Sequence, residues 1–225
     1  MRLLHTIAIF VLGLMTKREV PVPTYPAPFL KPGLLEQVKR ETVLISIEGF
    51  SGGYRGTGVL IDSTTVLTCE HMVESDTLWI YTYPVGRVIM AHPIRGDDVH
   101  DLALLKLDTP VNLSHYAVIN TTTTIGQPVV VVGNTLGAMK WFVSYGMISD
   151  KEEFYDITTA LIRGGNSGGP WVNLDGELVA LTDWGPVSAK GTSEGIGGGI
   201  DGATIQKFLN DWKHPVNVFQ LLLGN

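Results

Sequence analysis

One cysteine, Cys69, is all that 225 residues contain. An intramolecular disulfide is therefore excluded, and with it the stapled architecture of many small secreted domains. Clustered positive charge is missing as well. The 16 Lys and Arg are outnumbered by 22 Asp and Glu, giving a formal charge of −6. No segment offers the basic face that a nucleic-acid partner requires. Long apolar runs are absent too: Leu3 to Met15, the most extended one, spans 13 residues, against about 20 for a membrane-crossing helix. His5, His92, His115 and His214 have no metal-ligand spacing, so neither a metal nor an organic cofactor is expected.

What is present is a chain that is 44% hydrophobic, enough for one ordinary globular domain or two small barrels sharing an interface. Residues 1–16 read as a signal or membrane-anchor segment, the one stretch suited to membrane contact. Charges on both flanks (Arg2, Lys17, Arg18) leave its orientation open. An extracytoplasmic or membrane-anchored location is favoured on this ground. Residues 17–35 hold Pro21, Pro23, Pro26, Pro28 and Pro32 and read as an extended spacer. A short helix is expected over Leu34–Arg40 and a first strand over Thr42–Ile47.

Short β-branched and aromatic runs then recur between turn residues. Strands are expected at 56–62, 65–70, 77–83, 86–92 and 101–107, then, after a connection over 111–125, at 128–133, 141–149, 154–160, 170–173, 177–183 and 195–200. Many short strands with little helix point to barrels or a sandwich. Ile205, Phe208, Leu209 and Trp212 fall at helical spacing, giving one helix over 203–212. Residues 215–225 form an apolar tail. No internal repeat is visible.

Gly165-Asn166-Ser167-Gly168-Gly169-Pro170 carries the most chemistry. Glycines on both sides of a serine suit neither helix nor central strand, but they suit a tight turn with converging N–H groups beside an exposed hydroxyl. Acyl transfer needs that pairing of nucleophile and oxyanion donors. A base is available in Val66-Leu67-Thr68-Cys69-Glu70-His71, where a strand-like run ends in an imidazole. A carboxylate opens the strand-like run Asp101-Leu102-Ala103-Leu104-Leu105. His100, one residue earlier, faces away on an extended chain. Cys69 lies two residues before His71 and raises a rival Cys–His nucleophile, although the burial habit of free cysteine favours a structural thiol.

These blocks resemble the trypsin-like (chymotrypsin-fold) serine proteases, and more closely the bacterial HtrA/Deg branch. Gly56-Thr57-Gly58-Val59-Leu60-Ile61 is similar to the segment ahead of the histidine strand, and Val66–Val73 to the V-L-T-x-x-H-V block. His100–Lys106 matches H-D-L-A-x-L-K, and Arg163–Val172 resembles P-G-N-S-G-G-P. Gly195–Ile200 is similar to the strand bordering the specificity pocket. The order His71, Asp101, Ser167 is the one this family uses.

The resemblance implies an all-β fold of two antiparallel barrels, about 41–110 and 125–201, with a C-terminal helix, inside a protease domain over 36–214; the PDZ domain of longer HtrA-like enzymes is not expected in the residues after 212. It implies a serine endopeptidase: His71 as general base and acid, Asp101 orienting it, Ser167 as nucleophile. The oxyanion hole falls to the loop Gly165, Asn166 and Ser167, through the N–H groups of Gly165 and Ser167. Leu161, Ile196, Gly197, Gly198 and Gly199 are expected to bind substrate, with Gly198 and Gly199 leaving space near the pocket entrance for an aliphatic or medium-sized apolar residue. The partner is a protein or peptide substrate; the oligomeric state stays open. Two rivals remain: an inactive binding module on the same fold, and a viral or phage-type protease acting on itself or one partner.

Overall fold

The computed structural model describes residues 30–47, 55–84, 86–184 and 196–213. The expected signal segment, most of the spacer and the apolar tail lie outside the described residues.

Twelve strands close into two six-stranded antiparallel barrels. The first contains β1 (Thr42–Ser46), β2 (Gly56–Leu60), β3 (Thr65–Thr68), β4 (Leu78–Thr82), β5 (Val88–Asp97) and β6 (Leu102–Leu107). The second contains β7 (Pro128–Thr135), β8 (Met139–Lys151), β9 (Tyr155–Thr158), β10 (Pro170–Val172), β11 (Leu178–Trp184) and β12 (Gly197–Asp201). Around the first barrel the order is β1-β2-β3-β6-β5-β4; around the second it is β7-β8-β9-β12-β11-β10. The two circuits are the same topology shifted by six strands, a symmetry the sequence does not display. Closure leaves neither sheet with a free edge.

Strands that face both a barrel interior and the neighbouring barrel read as unbroken apolar runs. Every residue of β1, TVLIS, is buried. Val43 and Ile45 enter the core of barrel one with Leu60, Val66, Leu78, Ile80 and Leu105. Leu44, on the other face, packs with Val130, Val132, Trp141 and Val172 of barrel two. A second seam joins Leu67, Cys69, Leu102 and Leu104 to Leu178, Leu181 and Ile200. At about 1.5–3 kcal/mol for each fully buried aliphatic side chain, these seams hold the barrels in fixed register. That rigidity matters because the candidate site straddles them.

Two helices cap the pair. The helix α1 (Pro32–Glu41) starts two residues earlier than the apolar spacing predicts, because Pro32 occupies its first position, where proline suits the helix. The helix α2 (Gly202–Lys213) is opened by Asp201, whose carboxylate accepts the Thr204 N–H at 2.7 Å. Its Ile205, Phe208 and Leu209 pack on the second seam. Between Leu107 and Pro128 the chain crosses from one barrel to the other, tied by the Ala117 N–H to Leu60 O and by a bridge of Ile119 to Leu178.

Candidate active site

His71 does not end a strand, as the pattern suggests. The strand β3 stops at Thr68, and Glu70–Met72 make a single 3-10 turn that carries the imidazole. Asp101 sits just before β6 in a left-handed conformation, φ +52°. Such a backbone is uncommon outside glycine and here aims the carboxylate back at the turn. Its Oδ1 accepts the His71 backbone N–H at 2.8 Å, and its Oδ2 lies 2.6 Å from His71 Nδ1. The same carboxylate thus fixes both the main chain and the ring of residue 71. Burial opposes the Asp101 anion, but the bonds from the His71 ring and N–H prevail and hold its pKa below the usual carboxylate value. In return the bond to Asp101 raises the His71 pKa, against a smaller opposing effect of burial.

The serine loop is built from two successive turns. The Asn166 N–H donates to Arg163 O at 3.1 Å, with Gly165 at φ +91° in the third position; the Gly169 N–H donates to Asn166 O at 2.8 Å, with Gly168 at φ +78° in the third position. Both follow the type II pattern, which requires glycine there. A Cβ on Gly165 would lie 2.2 Å from Asn134 O, and one on Gly168 would lie 2.1 Å from Thr57 O. Asn166 spends its N–H inside the first turn, and its buried Oδ1 accepts the Thr135 hydroxyl at 2.9 Å. It therefore braces the loop. The N–H groups of Gly165 and Ser167 enter no hydrogen bond among the described residues.

Ser167 and His71 both border Asp183, and no hydrogen bond joins the two among the described residues. The Ser167 hydroxyl donates to the Asp183 carbonyl at 3.3 Å. The Asp183 carboxyl, on β11, has its Oδ1 4.0 Å from His71 Nδ1. Catalytic contacts of this kind commonly tighten only when substrate is bound.

Residues 56–181, more than half of the chain, match the family model of the trypsin-like peptidase domain. The chain belongs to that family. Among curated proteins it is 31% identical over 137 residues to the periplasmic serine endoprotease DegP of Escherichia coli (strain K12), covering 56% of this chain and 29% of that one. It is 33% identical over 153 residues to the periplasmic pH-dependent serine endoprotease DegQ of the same strain, covering 63% and 33%. The chain thus spans about a third of the length of these relatives. Among solved structures, an HtrA-type protease AlgW with decapeptide superposes with a TM-score of 0.64 at 24% identity, covering 72% of this chain and 52% of that one. That likeness supports the double-barrel fold.

Within this trypsin-like peptidase domain, the residues expected to wall the pocket differ in burial. Leu161 and Ile196 are exposed, whereas Gly197, Gly198 and Gly199 are buried in β12. A Cβ on Gly199 would come 2.8 Å from the Trp171 ring, and one on Gly197 would come 2.3 Å from Ile162. The space expected at Gly199 is thus already filled by Trp171; this glycine serves barrel packing. Gly198 alternates to the opposite face of the strand.

Cys69 is fully buried and its Sγ donates to Thr182 O at 3.1 Å. Burial, reinforced by the Asp101 and Asp183 charges, pushes its pKa well up. A protonated, enclosed thiol is a poor nucleophile. His100 turns to Asp97, its Nδ1 2.8 Å from Oδ2, and stacks edge-on against Phe154.

Two residues escaped the sequence reading. Thr57 ties barrel one to the serine loop: its hydroxyl donates to Gly165 O at 2.8 Å and accepts the Asn134 N–H at 3.0 Å, while its N–H donates to Ser167 O at 2.9 Å. Asp183 is the other. An acidic residue interrupting the apolar run Leu178-Val179-Ala180-Leu181 was the available signal. One donor atom each of Cys69, His71, Asp101 and Asp183 falls within 4.8 Å of the others. Each of these atoms has a hydrogen-bond partner: Cys69 with Thr182, His71 with Asp101, and Asp183 with Tyr155.

Proposed function

We propose that this chain is a serine endopeptidase that hydrolyses peptide bonds through an acyl-enzyme on Ser167. The observation that carries this reading is the His71–Asp101 pair, bonded at 2.6 Å, beside a glycine-shaped serine turn whose Gly165 and Ser167 N–H groups remain uncommitted. His71 accepts the Ser167 proton as the hydroxyl attacks the substrate carbonyl. Asp101 holds Nδ1 protonated, so that Nε2 faces the hydroxyl as the base, and it stabilises the imidazolium that forms. The negative charge developing on the carbonyl oxygen is received by the Gly165 and Ser167 N–H groups. His71 then returns its proton to the leaving amine, and a water repeats the sequence to release the acid.

The substrate class is a protein or peptide, cleaved after an aliphatic or medium-sized apolar residue. Apolar, exposed Leu161 and Ile196 support that preference. The relatives named periplasmic endoproteases support an extracytoplasmic location. A fluorophosphonate probe tests the chemistry: the wild-type chain should gain one adduct on Ser167, and Ser167→Ala should gain none. A wild-type chain that resists labelling would favour the inactive binding module. A peptide-library profile dominated by Lys or Arg before the cut would overturn the substrate preference.

A further inference from the structure

Asp183 lies where a further carboxyl is costly. Its side chain is 13% exposed, its Oδ2 accepts the Tyr155 hydroxyl of β9 at 2.5 Å, and its Oδ1 faces the His71–Asp101 pair. One oxygen each of Asp101 and Asp183 lies within 4.8 Å of the other and of a His71 ring nitrogen. Two ionised carboxylates this close repel each other, which favours a proton on one of them.

The surroundings decide which one. Asp101 collects the His71 N–H and the His71 ring N–H, both better satisfied by an anion. Asp183 receives one neutral donor, Tyr155, and among the described residues its one cationic neighbour within ion-pair range is His71. The remaining titratable neighbour, Cys69, gives its proton to Thr182 O. A proton on the pair is therefore better placed on Asp183 than on Asp101.

We propose that Asp183 is a positioning residue of this site: as a neutral acid it donates to Asp101 and holds that carboxylate on His71, and once ionised it sets a second negative charge beside the imidazole. The inference rests on the peptidase reading above. Ionising Asp183 favours the imidazolium, which cannot act as a base. The two groups therefore titrate as a coupled pair, not as independent sites. Consistent with this, the Asp183 pKa is pushed up to about 6, by burial first and then by Asp101, while the bond to Asp101 raises that of His71. Glu74 adds a smaller negative influence on His71.

The test uses the full chain as wild type, Asp183→Asn and Asp183→Ala, with two readouts: the NMR titration of the His71 imidazole, and the fluorophosphonate labelling rate against pH. The amide of Asp183→Asn still donates to Asp101 but cannot ionise. Its His71 midpoint should fall by about one pH unit, and its labelling at pH ~6 should rise several-fold above wild type. Asp183→Ala loses the donor and should label roughly ten-fold more slowly at every pH, with an unchanged circular dichroism spectrum. A His71 midpoint in Asp183→Asn within about 0.2 units of wild type overturns the proposal, as does wild-type labelling speed in folded Asp183→Ala. A shifted midpoint in a chain that never labels supports the shared proton and overturns the peptidase reading instead.

Discussion

The Thr57 hydroxyl, on barrel one, donates to the carbonyl of Gly165, 108 residues further along the chain, at 2.8 Å. This bond and the Thr57 N–H to Ser167 O bond anchor the serine loop to the barrel that carries His71 and Asp101. Replacing Thr57 by isosteric valine leaves the Gly165 carbonyl and the Asn134 N–H without their partner. A loss of about 1–3 kcal/mol is expected from unsatisfied buried groups. Urea denaturation measures that loss, and turnover should fall with it because the loop that presents Gly165 and Ser167 N–H is loosened.

Gly168→Ala should be worse than a surface glycine replacement. The backbone there is left-handed and a methyl group would strike Thr57 O and the Thr68 hydroxyl. Backbone strain of order 1–3 kcal/mol adds to the collision. Gly126→Ala is the control, since it shares a positive φ but meets nothing within 4 Å. Thermal unfolding should rank Gly168→Ala well below Gly126→Ala.

Asp101→Asn keeps the shape of the site and can still accept one bond, but it no longer enforces the proton on His71 Nδ1. Turnover should drop by roughly 10⁴, with much less change in KM. Steady-state kinetics on a peptide substrate separates the two. An effect confined to KM would reassign Asp101 to substrate binding.

Cys69 should not react in the folded chain. Iodoacetamide at neutral pH should leave the native mass unchanged and add one group after denaturation. Cys69→Ala should keep the fluorophosphonate adduct on Ser167, since the buried, protonated thiol donates to Thr182 O and does not supply the nucleophile. Loss of that adduct in a folded Cys69→Ala would revive the Cys–His alternative.

Stability should depend on pH through Asp183 with a definite sign. Its folded pKa is raised from 3.8 to about 6, so the folded state holds the proton more tightly than the unfolded chain. The contribution is complete below the unfolded value, declines as pH rises through 6, and is flat above it. Asp101, with a lowered pKa, acts in the opposite sense and loses its contribution as the medium is acidified. The Tm difference between wild type and Asp183→Asn isolates the first effect. It should move against wild type from about pH 4 to 6 and then stay level.

Much of this protein was legible in its residues. Alternating and unbroken apolar runs located the strands within a few residues, because burial on one face or two writes period-two or continuous patterns directly into sequence. The Gly-flanked Ser167 announced its turn because left-handed backbone selects glycine at Gly165 and Gly168. His71 and Asp101 were marked by where they interrupt such runs. The tertiary structure decided what depends on distant segments meeting. It gave the two barrels the same strand circuit, filled the room beside Gly199 with Trp171, engaged the Asn166 N–H within its turn, and set Asp183 against Asp101. None of these follows from local pattern, since each is a contact between atoms many residues apart whose energies depend on closed barrels packed across shared seams.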